Sequence, residues 1–198
     1  MKALVLIDVQ NDFIDGSLGS EWAQRTVPKI AEFVKAHPEF EVFATRDTHF
    51  DKDNDLGELP YEETLEGNLL PVRHCIKGTH GWQLSDHVKN LITSEDNIVD
   101  KLTFMSLESV DVDQPNLYEA IIDKVGGFDP KEIVICGFVT SICVIANALM
   151  LRGNYRNTKI TLLEDLCADV TKENHEAALK VMQAQQIDIK TVQEYEKD

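Results

Sequence analysis

Six short runs of apolar and β-branched residues recur along the chain, and segments with helical periodicity separate them. The predicted strands are 3–7, 41–45, 97–99, 132–136, 160–163 and 187–189. Runs of this kind are typical of strands buried on both faces of a parallel sheet. Strands that alternate with helices need right-handed crossovers between neighbouring strands. The pattern therefore predicts an α/β fold, a three-layer α/β/α sandwich with a mostly parallel, doubly wound central sheet.

Helical spacing of apolar residues predicts where the layers around this sheet come from. The positions 27–34 predict a helix after the first strand, with Pro28 in its first turn. The apolar segment 144–151 predicts a core helix after the fourth strand, and Thr171 is suited to cap a later helix. The irregular segment at about 50–81 is long for a compact domain, which predicts a functional loop.

Length and composition limit the kind of protein this is. A chain of 198 residues that is 43% hydrophobic predicts a single domain over residues 1–198. The net charge of -16 and the scattered basic residues argue against nucleic acid or an anionic membrane as partners. We expect no signal peptide or membrane span, and four reduced cysteines without a CxxC pair, as in a cytoplasmic protein.

Polar residues with catalytic potential stand where the predicted strands end. Asp8 follows the first strand, Asp47 and His49 follow the second, and Lys101 follows the third. The segment 137–143 follows the fourth strand. Open α/β sheets bind their ligands outside the carboxyl ends of the strands. We therefore expect these residues to lie around one site.

Cys143 is the candidate nucleophile among them. It lies at a strand-to-helix junction, where unpaired N–H groups and the positive end of the helix dipole stabilise a thiolate and can hold an oxyanion. Asp8 has the position of a partly buried base with a raised pKa, and Lys101 that of a cation beside the thiolate. Taken singly, the cysteine has an alternative role in the core, the aspartate as a turn cap and the lysine on the surface.

Asp47 and His49 suggest a metal site. Residues two apart in an extended segment point to the same side and can bind one cation together. Glu66 and His74 lie downstream, and carboxylate with imidazole suits zinc, iron or manganese. An acidic surface loop that contains one histidine is the alternative.

Four segments of the chain resemble the isochorismatase-like cysteine hydrolases, and three motifs occur in the order and spacing expected for that superfamily. The segments are 3–13, 100–106, 137–144 and 165–168. The first resembles the N-terminal signature and the third the nucleophile motif. Ser141 stands where nucleophile motifs of the superfamily often have aspartate.

The resemblance implies a role for each residue at the strand ends. It implies a catalytic triad of Cys143, Asp8 and Lys101. It also implies an oxyanion hole from the backbone amides of Val139 and Cys143, with a cis peptide that joins Phe138 to Val139.

The segments 47–49 and 74–79 resemble the metal-site segments of nicotinamidases and pyrazinamidases. This resemblance implies one divalent transition metal, zinc in the first place and iron or manganese as alternatives, that orients the pyridine ring of nicotinamide. Glu66 is similar in position to a glutamate that some branches have in place of a further histidine. The implied ligands are Asp47, His49, Glu66 and His74.

Three aromatic residues are candidates to flank the flat ring of such a substrate, namely Phe13, Trp82 and Phe104. The first hypothesis is thus hydrolysis of nicotinamide to nicotinate and ammonia through a cysteine thioester. A related hydrolase acting on another amide, a carbamoyl compound or isochorismate remains open, as does a catalytically silent redox or scaffold protein. The resemblance also implies a homo-oligomer.

Overall fold

The computed structural model describes residues 1–197 and contains one six-stranded sheet. In spatial order the strands are β3 (Ile98–Lys101), β2 (Phe40–Asp47), β1 (Lys2–Ile7), β4 (Glu132–Phe138), β5 (Lys159–Ala168) and β6 (Asp188–Lys190). Every neighbouring pair is parallel. The last residue of the predicted domain, Asp198, lies outside the described residues.

Helices cover both faces of this sheet. They are α1 (Asn11–Ile14), α2 (Glu21–Ala36), α3 (Leu65–Leu69), α4 (Leu117–Lys124), α5 (Ile145–Asn154), α6 (Lys172–Ala184) and α7 (Val192–Tyr195). Successive residues of β1 point to opposite faces, yet all of them from Ala3 to Ile7 are completely buried. The prediction of an α/β sandwich with a parallel central sheet is confirmed.

The strands end later than the apolar runs suggest. Asp47 and Lys101 are the last residues of β2 and β3 and pair with each other, whereas the sequence places them just after the strands. Burial explains the difference. Both side chains pack inside the protein, so the parallel pairing of β2 with β3 extends to include these two residues.

The strand order reverses between β1 and β4, which is where an open α/β sheet leaves a crevice for ligands. Ile7 and Gly137 are register partners at the end of these two strands. Gly137 has a φ of +128°, and a Cβ there would lie 2.1 Å from the carbonyl oxygen of Ile7. Only glycine permits this close approach. It brings the residues after β4 next to Asp8.

One helix start differs from the prediction. Helix α2 begins at Glu21, where the Ser20 hydroxyl accepts a hydrogen bond from the Ala23 amide at 3.1 Å. Pro28 therefore lies inside the helix and not in its first turn, so that prediction is wrong. The Ser20 cap starts the helix earlier. Pro28 has no N–H to donate to the helix, and burial of the apolar face of α2 offsets the cost of that missing hydrogen bond.

Two irregular segments complete the surroundings of the crevice. Residues Thr140–Val144 form a π-helical turn between β4 and α5. The predicted loop at 50–81 contains a 3₁₀ turn, Tyr61–Glu63, and helix α3. Thr171 caps α6 as predicted, since its hydroxyl accepts from the Asn174 amide at 3.1 Å. Within residues 1–197, no helix has both the length and the apolar composition needed to cross a membrane.

Candidate active site

Asp8, Lys101 and Cys143 meet in the crevice between β1 and β4. The Lys101 ammonium lies 2.9 Å from Asp8 Oδ2 and 3.6 Å from Cys143 Sγ. Lys101 is thus in contact with both other residues. Asp8 and Lys101 are completely buried, and only 5% of Cys143 is exposed. The three residues predicted to form a triad therefore lie together around the Lys101 ammonium and are shielded from bulk water.

A hydroxyl on the neighbouring strand orients the Asp8 carboxyl group. Thr45 Oγ1 donates to Asp8 Oδ1 at 2.6 Å and accepts from the Asp8 amide at 3.1 Å. Asp8 has a φ of +49°, which turns its side chain from the strand direction into the crevice. Thr45 has no catalytic signal in the sequence, because it is one more β-branched residue in an apolar run.

Burial decides the protonation of this cluster. It raises the pKa of Asp8, although Lys101 opposes the rise. It raises the pKa of the Cys143 thiol well above its usual value, since the Lys101 charge offsets burial only in part. For Lys101 burial favours the neutral amine, but attraction to Asp47 and Asp8 outweighs it and raises the pKa. The resting nucleophile is a neutral thiol and not the thiolate expected from the sequence, so it needs a base.

The Asn147 side chain of α5 holds the turn that carries Cys143. The peptide between Phe138 and Val139 is cis, as the resemblance implies. The Asn147 amide group donates to the Cys143 carbonyl at 2.8 Å and to the Phe104 carbonyl at 2.9 Å. Asn147 thereby joins the nucleophile turn to the segment that follows Lys101.

Asp47, His49, Glu66 and His74 converge beside this cluster, as the sequence predicts. One ligand atom from each lies within 4.8 Å of all the others. His49 Nε2 lies 3.0 Å from Asp47 Oδ2, and His74 Nε2 lies 3.5 Å from Asp47 Oδ2 and from Glu66 Oε1. Helix α3 brings Glu66 to this position. The other three residues of the cluster are nearly fully buried.

The donor set fits a divalent cation. Two carboxylate oxygens and two imidazole nitrogens face one another, and His49 Nε2 is buried without a hydrogen-bond partner within residues 1–197. The Val72 carbonyl lies 2.9 Å from His74 Nδ1, which orients the ring and leaves Nε2 toward the cluster. Burial disfavours charge on His74, yet hydrogen bonds to Asp47 and Glu66 raise its pKa to about 10. The cluster thus demands positive charge, from a proton or from a metal.

Asp47 joins the two clusters. Its Oδ1 lies 3.1 Å from the Lys101 ammonium, while its Oδ2 faces His49 and His74. Burial favours the neutral acid, but Lys101 and the two imidazoles lower the pKa of Asp47 well below its usual value. Asp47 is therefore an anion shared by the candidate triad and the candidate metal site.

The opening segment supplies two further supports that the sequence does not single out. The Gln10 amide group accepts from the Asp47 amide at 2.8 Å and donates to the Asp47 carbonyl at 2.9 Å. Asp12 Oδ2 accepts from the Cys75 amide at 2.7 Å, directly after His74. Both lie in the segment 3–13 that carries the resemblance, which is the only signal for them.

The aromatic candidates differ in position. The Phe13 ring lies 5.7 Å from the His74 ring, at the edge of the metal cluster. Trp82 donates to Thr48 Oγ1 at 2.9 Å, and the Arg46 guanidinium covers one face of its ring at 3.9 Å. Phe104 is 45% exposed. A contact with a substrate ring stays a prediction for Phe13, Trp82 and Phe104.

One aromatic residue that sequence reasoning missed packs against both imidazoles of the metal cluster. The Tyr61 ring lies 4.8 Å from the His49 ring and 5.2 Å from the His74 ring, edge-on to both. Its hydroxyl donates to the Leu70 carbonyl at 2.5 Å. A tyrosine in an irregular acidic loop has no pattern that separates it from a surface residue.

Two known proteins are similar in sequence to this chain. The Nicotinamidase of Saccharomyces cerevisiae is 31% identical over 179 residues, which cover 75% of this chain and 80% of that protein. The Nicotinamidase/pyrazinamidase of Mycobacterium tuberculosis is 28% identical over 199 residues and covers 96% of this chain and 98% of its own.

Solved structures share the fold. The pyrazinamidase of Pyrococcus horikoshii in complex with zinc has a TM-score of 0.68 at 24% identity, covering 96% of this chain and 98% of that chain. An isochorismatase-like hydrolase from Alkaliphilus metalliredigens has a TM-score of 0.76 at 20% identity, covering 99% and 97%. The sequence profile of the isochorismatase domain matches residues 2–194. The chain belongs to the isochorismatase family.

Proposed function

We propose that this protein hydrolyses nicotinamide to nicotinate and ammonia through a thioester on Cys143, with one divalent metal, zinc, bound nearby. The names of the relatives in yeast and Mycobacterium tuberculosis support the substrate. The observation that carries the proposal is the shared carboxylate of Asp47. Asp47 contacts Lys101 through one oxygen and faces His49 and His74 through the other, which supports a single small substrate that reaches both Cys143 and a bound metal.

Asp8 acts first as a base. Its carboxylate takes the proton from the Cys143 thiol, and the sulfur forms a bond to the carboxamide carbon of the substrate. The carbonyl π bond breaks, and its electron pair stays on oxygen. The backbone amides of Val139 and Cys143 donate to this oxyanion. Lys101 offsets the negative charge while the proton is on Asp8.

Asp8 then acts as an acid. It delivers the proton to the amide nitrogen, the carbon–nitrogen bond breaks, and ammonia leaves. Water attacks the resulting thioester while Asp8 accepts one of its protons. The carbonyl π bond re-forms as the carbon–sulfur bond breaks, and the Cys143 sulfur recovers a proton from Asp8. The product acid loses its remaining proton to solvent and departs as nicotinate. Each turnover consumes one water and returns the site to its resting thiol.

Asp47, His49, Glu66 and His74 would hold the metal. When bound, the metal supplies a Lewis acid that binds the pyridine nitrogen and so orients the ring. Phe13 at the edge of this cluster packs against the ring, and Tyr61 keeps the two imidazoles in place. Orientation of this kind can lower the barrier by several kcal/mol without contact with the scissile bond.

A substrate panel on one metal-analysed sample tests the proposal. The purified protein should release equimolar ammonia and nicotinate from nicotinamide, accept pyrazinamide, and carry about one zinc per chain. Benzamide is the matched control, because it has the same carboxamide and no ring nitrogen. Turnover of a carbamoyl compound or of isochorismate in place of nicotinamide would reject the proposed substrate. Full activity in a metal-free preparation would reject the metal site.

A further inference from the structure

A buried aspartate at the end of β5 contacts the nucleophile turn and has no part in the triad. Asp169 is 4% exposed and lies directly after Ala168, the last residue of β5. Its Oδ2 accepts from the Ser141 amide at 2.6 Å. Its Oδ1 accepts from the Ser141 hydroxyl at 3.0 Å and from the Val170 amide at 2.7 Å. Three donors thus hold one buried negative charge, two of them from a single residue of the turn.

The residue before Ser141 is anchored to the same strand end. The Thr140 hydroxyl donates to the Ala168 carbonyl at 3.0 Å. Since its only hydrogen is used there, the contact of 2.9 Å with His175 Nδ1 must be donated by the histidine. His175 itself packs 5.1 Å from the Trp22 ring. Thr140 and Ser141 are therefore tied, one after the other, to Ala168 and Asp169.

These anchors lie between the two amides that the mechanism assigns to the oxyanion. Val139 precedes Thr140, and Cys143 lies two residues after Ser141. The Val139 carbonyl also accepts from the Ile142 and Val144 amides, so the turn closes on Val139. A carboxylate that holds the Ser141 amide in the middle of this turn fixes the direction of the amides on either side of it. Charge-assisted hydrogen bonds of this length are strong enough to do so.

We infer that Asp169 is a positioning residue of the reaction, which fixes the Val139 and Cys143 amides on the substrate oxygen by holding Ser141. The inference rests on the proposed function. Asp169 contacts neither the substrate nor the sulfur, so its loss should misdirect the oxyanion donors and leave the thiol chemistry in place. Donors aimed at charge that develops only in the transition state change kcat and spare KM.

Asp169→Asn is the test variant, because it keeps the shape of the side chain but turns an NH₂ group toward donors. Asp165→Asn is the matched control on the same strand, where Asp165 accepts from the Val192 amide at 2.9 Å, away from the turn. For Asp169→Asn, kcat with nicotinamide should fall by at least about tenfold while KM stays within about twofold. Asp165→Asn should match the wild type in both constants. Thermal unfolding and metal content should show that both variants are folded and loaded.

Two thiol probes separate positioning from structure. When pyridine-3-carbaldehyde binds, the Cys143 sulfur forms a bond to the aldehyde carbon and the carbonyl π bond breaks. The resulting hemithioacetal has a tetrahedral carbon whose oxygen faces the Val139 and Cys143 amides, so Asp169→Asn should bind the aldehyde at least about tenfold more weakly. Iodoacetamide alkylates Cys143 without an oxyanion, and its rate should stay within about twofold. Ser141→Ala, which removes only the hydroxyl bond, should weaken aldehyde binding less and in the same direction. If Asp169→Asn does not fold, the aldehyde affinity of Ser141→Ala decides whether the inference holds.

The outcomes distinguish the inference from the function on which it rests. An active wild type with unchanged kcat and aldehyde affinity in Asp169→Asn would overturn the inference alone. So would a variant in which kcat, aldehyde affinity and alkylation all fall in parallel with stability, since that is a structural role. A wild type without nicotinamide turnover would overturn the proposed function and the inference with it.

Discussion

Asp8, Lys101 and Cys143 show how burial sets the chemistry of single residues. Burial raises the pKa of Asp8 and of the thiol, while Lys101 keeps its charge through Asp8 and Asp47. One proton is therefore shared between Asp8 and Cys143 in the working state, and the pair titrates as a unit. The sequence predicts the direction for Asp8 correctly. It fails for Cys143, because the depth of the crevice is not visible in a strand-to-helix pattern.

The pH profile of kcat/KM should be bell-shaped for this reason. Below the raised pKa of Asp8 both groups carry protons, Asp8 cannot act as a base, and the rate falls as the pH falls. The midpoint of this limb should lie above 3.8, the ordinary value for aspartate. Above the raised pKa of the thiol the shared proton is lost, so the alkaline limb should lie above 9.0. A rate that does not change with pH would contradict the shared proton.

At the scale of elements, the apolar runs in the sequence predict the six strands, but they do not predict the residues at which the strands end. The runs identify each strand, because burial on both faces leaves a continuous apolar signal. Asp47 and Lys101 extend the ladder although they are charged, since they satisfy each other inside the protein. The positions of Gln10 and Asp169 depend on contacts 37 and 28 residues away in the chain, and local periodicity carries no record of such contacts.

One prediction at this scale concerns Glu66, which lies in helix α3. Since α3 exists only within the irregular loop, Glu66 reaches the cluster through the fold of that loop. Glu66→Ala should lower the affinity for zinc by at least about tenfold, as the loss of even an indirect contact does at metal sites. Glu63→Ala is the matched control, because Glu63 lies three residues away and is exposed. Titration against a competing chelator measures both, and equal affinities would remove Glu66 from the ligands.

At the scale of the whole molecule, zinc binding should be linked to proton release. His74 carries a proton below its pKa of about 10, and the metal needs the neutral ring. Zinc binding at pH 8 should therefore release about one proton, and the affinity should rise with pH by up to about tenfold per unit. Calorimetry in buffers of different ionisation enthalpy counts the released protons. A count near zero would mean that His74 is neutral in the metal-free protein.

The same linkage determines how the stability of the metal-free protein changes with pH. A histidine whose pKa is raised in the folded state stabilises it below the unfolded value near 6.5, and this contribution is lost as the pH rises through about 10. Added zinc should restore stability at high pH because it binds only the folded chain. Thermal unfolding between pH 6 and pH 10, with and without zinc, tests this.

The predicted homo-oligomer remains a prediction that the molecular mass in solution will decide.

The central claim is that Cys143 is the nucleophile, and ammonia release by three proteins tests it most directly. Wild type and Cys136→Ala should both release ammonia from nicotinamide, because Cys136 lies within β4 as part of the hydrophobic core. Cys143→Ala should bind zinc, unfold at a similar temperature and release no ammonia. Ammonia release by folded Cys143→Ala at the wild-type rate would contradict the account.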